Sequence, residues 1–283
     1  MSQLLISVIH RHFDTTDSTN TQLIHAITGG THNHTTHHLY TASHQTAGRG
    51  QHGRTWVSGV DNVLLSLYVP MGTDNFQLHA LSGLISLVVG YKLANLPPIQ
   101  TINSHRQKER LPLIGVKWAN DVGFYDENMG VFNKLAGILI EPVFKKIHDK
   151  NTLVGVVVGV GLNVNHAPII KDGLYQATCL RQFDIHLTAQ DLYTPITNAI
   201  LQAVQICNDC KEMIYLQSFV DQFNQSHLLT NQYVQIFMQN NVADSYAQGK
   251  CIGIGQQGEL LLQHHDSITP IFAGMAQIYK DNP

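Results

Sequence analysis

The sequence predicts an α+β protein in which a sheet flanked by helices is followed by a small β barrel. Three observations carry this. Strand-like apolar runs at Leu39–Ser43, Asn62–Val69, Leu113–Trp118, Leu135–Glu141 and Leu153–Val164 alternate with segments of helical period. After His227 the pattern changes to short strands, Tyr233–Phe237, Tyr246–Ile254, Glu259–Gln263 and Met275–Tyr279, with Gln257-Gly258 as a tight-turn candidate. Finally, 283 residues at 43% hydrophobic content suffice for one large domain and a smaller one. The expected division is 1–228 and 229–283, with no internal repeats.

The elements follow in order. Asp17-Ser18-Thr19-Asn20 precedes Leu23, Ile24 and Ile27, which reads as a capped helix start. Thr31–His38 holds His32, His34, His37 and His38; without an interleaved carboxylate or Cys it reads as an exposed turn rather than a metal site. Phe76–Leu96 reads as a core helix, with apolar Leu78, Leu81, Ile85, Val88 and Val89. Ser82, Gly83, Ser86, Gly90 and Lys92 interrupt it too often for a membrane span. Pro97–Pro112, with His105, Arg106, Lys108 and Arg110, reads as a solvated connection. Thr188-Ala-Gln-Asp191 resembles a capping box, opening one or two amphipathic helices that run to about Ser226.

Composition narrows the function. Lys and Arg number 17 and Asp and Glu 20, so the net charge of −3 excludes a general nucleic-acid coat or a polybasic membrane binder. Four Cys do not make a disulfide scaffold, and Cys207-x-x-Cys210 reads as two small helix residues. Met1–Phe13 shows no secretory signal, so the expected setting is cytoplasmic, without a membrane.

Four constellations can carry chemistry. In Gln45-Thr46-Ala47-Gly48-Arg49-Gly50-Gln51-His52-Gly53-Arg54-Thr55-Trp56 the glycines fit G-x-G-x-x-G, but no helix start follows, so a dinucleotide fold is refused. Glycines let backbone N–H groups approach an anion, and Arg49 and Arg54 bring guanidinium forks that match phosphate or carboxylate. The alternative is a plain hairpin tip. Gly115-Val116-Lys117-Trp118-Ala119-Asn120-Asp121 ends a strand on a cation, an amide and a carboxylate, which suits nucleotide and Mg²⁺, or else is a simple Asn-Asp turn. Lys134-Leu135-Ala136-Gly137-Ile138-Leu139-Ile140-Glu141 places one lysine at the mouth of an apolar strand. Gly159-Val160-Gly161-Leu162-Asn163 permits close approach of a ligand.

In this order the motifs resemble those of the biotin–protein ligases, from Asp17 to Tyr279. The markers are Asp17–Asn20, Gln45–Gly50, Lys117–Asp121, Lys134–Gly137 and Gly161–Asn163, and Gly253–Leu262 is similar to the family's SH3-like barrel. The resemblance implies a class II aminoacyl-tRNA synthetase/biotin ligase-like catalytic domain, a mixed sheet flanked by helices. It also implies a two-step reaction. Biotin and ATP give biotinyl-5′-adenylate and pyrophosphate; a lysine of the biotin carboxyl carrier protein then takes the biotinyl group. Arg49, Lys134 and Asp121 are the implied catalytic residues, with Asp121 on Mg²⁺. Biotin would meet Ser18, Thr19, Asn20, Gln45, Gly48, Arg49, Gly50, Gln51 and Lys134, between walls of Trp56, Gly137, Gly159 and Gly161. Arg54, Lys117, Asn120 and Asn163 would face ATP, and Gly48–Gly59 would close as a lid over the adenylate.

The pattern departs from the family in three places. Gln51 stands where the family often has Arg, which implies weaker retention of the adenylate unless Arg54 compensates. Ala119 replaces a usual Pro, and Asp121 and Lys134 stand 134 − 121 = 13 positions apart, implying a longer hairpin tip within Gly123–Asn133. Sixteen residues precede Asp17, too few for a three-helix DNA-binding domain, so no DNA partner is expected. Three other readings stand beside this one: a lipoate–protein ligase-like acyltransferase, a non-catalytic biotin-binding adaptor, and a DNA-binding repressor. Monomer and homodimer are both left open.

Overall fold

The computed structural model describes residues 7–57, 59–72, 75–126, 130–170, 175–210, 213–238 and 245–279. Residues 1–6 of the N-terminal segment, Ser58 of the expected lid and residues 127–129 of the expected hairpin tip lie outside them.

Among the described residues the strands are β1 Val8–Thr16, β2 His37–Gln45, β3 Val63–Pro70, β4 Gly115–Lys117, β5 Asp121–Asp126, β6 Val131–Ile147, β7 Lys150–Leu162, β8 Gln176–Ala177, β9 Tyr233–Phe237, β10 Ser245–Ile254, β11 Leu260–His264, β12 Ser267–Ile271 and β13 Met275–Ile278. The helices are α1 Thr19–Thr28, α2 Leu84–Ala94, α3 Pro97–Lys108, α4 Ala189–Asp209 and α5 Met213–Ser226. Eight strands make a mixed sheet in the order β1-β2-β3-β7-β6-β5-β4, with β8 beside β6; only the β1–β2 and β6–β8 pairs are parallel. The last five strands make an antiparallel sheet, β12-β11-β10-β9-β13.

The centre of the large sheet is its most apolar part. All eight residues of β3 are buried, and Val156, Val157 and Val158 fill the middle of β7. Such strands, covered on both faces, read as continuous apolar runs rather than alternating ones. Helix α2 is buried on nearly every side, packed between the sheet and α4. Ser18 caps α1, its Oγ accepting the Thr21 N–H, and turns Leu23 and Ile27 into the core. Thr188 and Asp191 form the expected capping box at the start of α4. Cys207 lies buried in α4 and Cys210 caps its C-terminus.

Several expectations need correction. Pro97–Pro112 is not a loop for most of its length, because Pro97 opens α3, where a missing N–H leaves no bond unmade. Ile99 and Ile102 of α3 pack into the core, and the Arg106 guanidinium lies 4.0 Å from the Phe124 ring centre. The core helix expected at 76–96 is confined to Leu84–Ala94, after a single 3₁₀ turn at Leu78–Ala80. His37 and His38 are buried strand residues of β2 rather than part of an exposed turn.

The small sheet is joined to the large one by specific contacts. The Gln257-Gly258 turn between β10 and β11 sits against Gly83 and Leu84, and the Gly258 carbonyl accepts the Trp118 indole N–H at 2.9 Å. Gly258 has φ +82°, and a Cβ there would lie 2.3 Å from the Leu84 nitrogen. His227 links β4 to the chain entering the small sheet. Its Nε2 accepts the Trp118 backbone N–H at 3.3 Å, so Nδ1 carries the proton and donates it to Thr230 Oγ1 at 3.2 Å. The ring stacks on Phe223, 5.2 Å between centres.

Burial holds the His227 imidazole neutral and pushes its pKa down to about 3. The unfolded chain binds a proton there near pH 6.5 while the folded chain does not, so stability is full above 6.5 and is lost as pH falls from 6.5 toward 3. Urea titrations at pH 7 and pH 5 should show wild type losing about 2 kcal/mol more over this interval than His227→Gln. Equal losses would show that His227 does not drive the acid sensitivity.

Candidate functional site

The site is built on three adjacent strands. Register places Leu64, Gly161 and Gly137 in one row across β3, β7 and β6, and Ser66, Gly159 and Leu139 in another. The glycines leave bare backbone in the middle of the sheet, and neighbouring side chains descend onto it. A Cβ at Gly161 would lie 2.3 Å from the Trp56 indole, and one at Gly159 would lie 2.2 Å from Asn20 Oδ1.

The glycine- and arginine-bearing segment is a small hairpin, as the absence of a helix start predicted. Arg49 pairs with Thr55 across it, Trp56 N–H donates to Gly48 O at 2.9 Å, and Gly50 N–H donates to Arg54 O at 2.7 Å. Its tip, Gln51–Gly53, is a 3₁₀ turn in which His52 and Gly53 both have positive φ. This hairpin, α1, and strands β3, β5, β6 and β7 line one cleft.

Most of the predicted site residues meet in that cleft: Ser18, Thr19, Asn20, Gln45, Arg49, Gly50, Gln51, Arg54, Trp56, Asn120, Asp121, Lys134, Gly137, Gly159 and Gly161 all line it. Three do not. Gly48 lies at the base of the hairpin, where a Cβ would come within 2.4 Å of the Trp56 carbonyl. Lys117 is buried in β4, its Nζ 4.7 Å from the Phe132 ring centre. Asn163 is largely buried and lines a small neighbouring pocket with Trp56, Lys134 and Tyr175, accepting from Asn62 Nδ2 at 3.2 Å and donating to Lys134 O at 3.5 Å. Tyr175, Leu64 and Leu65 also line the cleft, and sequence reasoning missed them. Nothing in the sequence around Tyr175 marks it, and Leu64 and Leu65 look like any strand core.

One end of the cleft is polar and neutral. Thr19 N–H and Oγ1 both donate to Gln45 Oε1, at 2.7 and 3.1 Å. The buried Ser66 hydroxyl lies 2.7 Å from Thr19 Oγ1 and 2.5 Å from Asn20 Oδ1. The other end is charged. Lys134 Nζ is 2.7 Å from Asp121 Oδ1, and 5.4 and 5.1 Å from the ring centres of Trp56 and Tyr175. Asn120 holds the turn to β6, donating from Nδ2 to Ile138 O at 2.8 Å. Burial lowers the Lys117 pKa to about 8, the Asp121 carboxylate opposes this, and Lys134 and Arg54 add to it. At the rim, Arg49 Nη2 is 2.5 Å from Glu141 Oε1. Two buried donors that line the cleft, Trp56 Nε1 and Arg54 Nε, have no hydrogen-bond partner among the described residues.

The arrangement suits a ligand with a polar, neutral end and an anionic end. Among the described residues no three His, Cys, Asp or Glu side chains cluster as metal ligands, so the protein itself offers the single carboxylate of Asp121. That fits a hard cation which completes its shell with water and substrate phosphates. No helix of the described residues is long and apolar enough to cross a membrane.

Comparison with known proteins gives three kinds of likeness. The family described as Biotin/lipoate A/B protein ligase matches residues 13–163. The chain is 26% identical over 234 residues to the bifunctional ligase/repressor BirA of Escherichia coli K12, covering 82% of this chain and 64% of that protein's length. It is 36% identical over 132 residues to the biotin–[acetyl-CoA-carboxylase] ligase of Mycobacterium tuberculosis, covering 45% of this chain and 39% of that one. In fold it resembles the biotin protein ligase of Aquifex aeolicus in complex with biotin and ATP, with a TM-score of 0.64 and 20% identity over 96% of this chain and 99% of that one.

The seating of Trp56 on Gly161 is testable. Gly161→Ala should push the indole off the sheet and shift its fluorescence to longer wavelength, and the shift should be absent when Trp56→Phe is present as well. An unchanged spectrum would mean that the indole does not rest there.

Proposed function

The chain belongs to the biotin/lipoate A/B protein ligase family, and from that premise we propose that it is an ATP-dependent biotin–protein ligase. It activates biotin as biotinyl-5′-adenylate and transfers it to a lysine of a biotin carboxyl carrier protein. One observation carries the reading: a glycine-floored slot leads from hydrogen-bonding groups at Thr19, Asn20 and Gln45, with Arg49 at their rim, to the cations Arg54 and Lys134. The names of the relatives support biotin over lipoate. The catalytic unit is assigned to 1–228 and the small barrel to 229–283.

In this reading the ureido ring of biotin lies at the neutral end and its carboxylate points at the cations. The carboxylate and the α-phosphate of ATP repel each other, so fixed positive charge must hold them in bonding distance. Lys134 and Arg49 serve this on the two sides of the cleft, and Arg54 and Asn120 face the nucleotide. Carboxylate oxygen attacks the α-phosphorus, and pyrophosphate leaves. Asp121 would hold a magnesium ion, which would supply further charge screening. Lys117 acts from beneath the surface as buried positive potential, and Asn163 steadies the floor behind Lys134. The hairpin shields the mixed anhydride from water until the carrier's lysine amine attacks its carbonyl and AMP departs.

Exchange of labelled pyrophosphate into ATP should depend on biotin and not on lipoate. Lys134→Ala should reduce it by about 10²–10³-fold, the scale for losing one preorganised charge-stabilising group. Exchange driven by lipoate instead would reassign the substrate, and none with either would end the adenylation reading.

A further inference from the structure

We propose that Glu141 is a positioning residue that grips the hairpin's arginine from behind and holds it at the rim of the cleft. Arg49 stands on a segment whose glycines, Gly48, Gly50 and Gly53, leave the backbone free to move. A long guanidinium on such a segment samples many positions unless something rigid holds it. Glu141 is rigid, because it sits within the 17-residue strand β6, paired with Val157 of β7. Its Oε1 is 2.5 Å from Arg49 Nη2, and Thr21 Oγ1 accepts from Arg49 Nη1 at 3.2 Å.

The placement separates a grip from a competitor. Arg49 and Asn20 line the cleft, whereas Glu141 and Thr21 do not. Glu141 and Thr21 engage one N–H of each terminal nitrogen, and the guanidinium, with five N–H donors, keeps others for a ligand anion. The same carboxylate reaches a second wall of the site: Glu141 Oε2 accepts from Asn20 Nδ2 at 2.9 Å. Asn20 Oδ1 is met in turn by Ser66, so a single side chain ties the hairpin, the start of α1 and the sheet floor together. The Arg49 side chain is 43% exposed and that of Glu141 20%, so water screens the pair and its effect is moderate.

The proposal rests on the reading above only for the identity of the ligand; the grip itself belongs to the ligand-free protein. Two measurements on the full chain test it. Trypsin cleaves after Arg49 and Arg54, and in ligand-free Glu141→Ala this cleavage should run about tenfold faster than in wild type. Calorimetric titration with biotin should show about tenfold weaker binding by Glu141→Ala, with no further loss when the same change is made in an Arg49→Ala background. Glu141→Gln should fall between, since one amide oxygen cannot serve both Arg49 and Asn20; it carries the test if the alanine variant does not fold. Cleavage at the wild-type rate would overturn the proposal. So would an equal loss of affinity with and without Arg49. Wild-type protein that binds no biotin would overturn the ligase reading instead, and the cleavage rates would still decide the grip.

Discussion

In the β5–β6 pair the register slips by one residue between Val122 and Gly123: Val122 faces Ala136, but Gly123 faces Lys134. Without that slip, Lys134 and Gly137, three positions apart, would point to opposite faces of the sheet. The extra residue, Leu135, turns the strand so that Lys134, Gly137 and Asp121 share one face. Only then can the ammonium reach the Asp121 carboxylate at 2.7 Å and stand over the bare backbone where Trp56 is seated. Leu135, pushed to the other side, is fully buried in the core. One bulge thus converts a core strand into the charged wall of a cleft without giving up its apolar anchor.

The turn that carries Asn120 and Asp121 is held equally firmly from behind. Trp118 donates its indole N–H to the small sheet and its backbone N–H to His227. Leu228 N–H then donates to Val116 O at 2.9 Å, so the chain leaving α5 runs alongside β4. The buried core is continuous from Val116 and Trp118 to Ile254 and Leu260. The small sheet is therefore a structural support of the strand that leads into the site turn.

The sequence made legible what depends on local pattern. The cap at Ser18, the capping box at Thr188 and four strands of the small sheet were readable because side-chain chemistry and alternation report directly on backbone shape. Most cleft residues were readable only together, because each motif alone has a plain structural use and it is their order along the chain that resembles the ligase family. Strand β1 was missed because Val8–Thr16 is mostly exposed, polar and held by parallel pairing to β2, which leaves little alternation. Strand β12 was missed for a related reason, since Ser267–Pro270 are all exposed. Helix α3 was hidden by Pro97, where the same residue type signals either a loop or a first turn. Lys117 was read as facing a ligand because it flanks motif residues that line the cleft; its burial depends on layers that sequence spacing does not reveal. Glu141 was read only as the end of a motif, since its partners Asn20 and Arg49 lie 121 and 92 positions away.

The charge arrangement of the cleft follows from what a ligand-free protein must do with its cations. Lys134 and Arg49 each have a carboxylate, Asp121 and Glu141, which orients them at the cleft. Arg54 is different: its Nε is buried without a partner among the described residues, as is the Trp56 indole nitrogen. An unsatisfied buried donor costs about 1–3 kcal/mol, so neither would persist in a site meant to stay closed on itself. Both lie along the hairpin, one to each side of Thr55, on the wall that faces Lys134. Acceptor atoms of a ligand can meet both donors there, whereas at Lys134 they share a cation with Asp121. An anionic ligand is thus met from two sides, by the hairpin's donors and by the ammonium on the sheet.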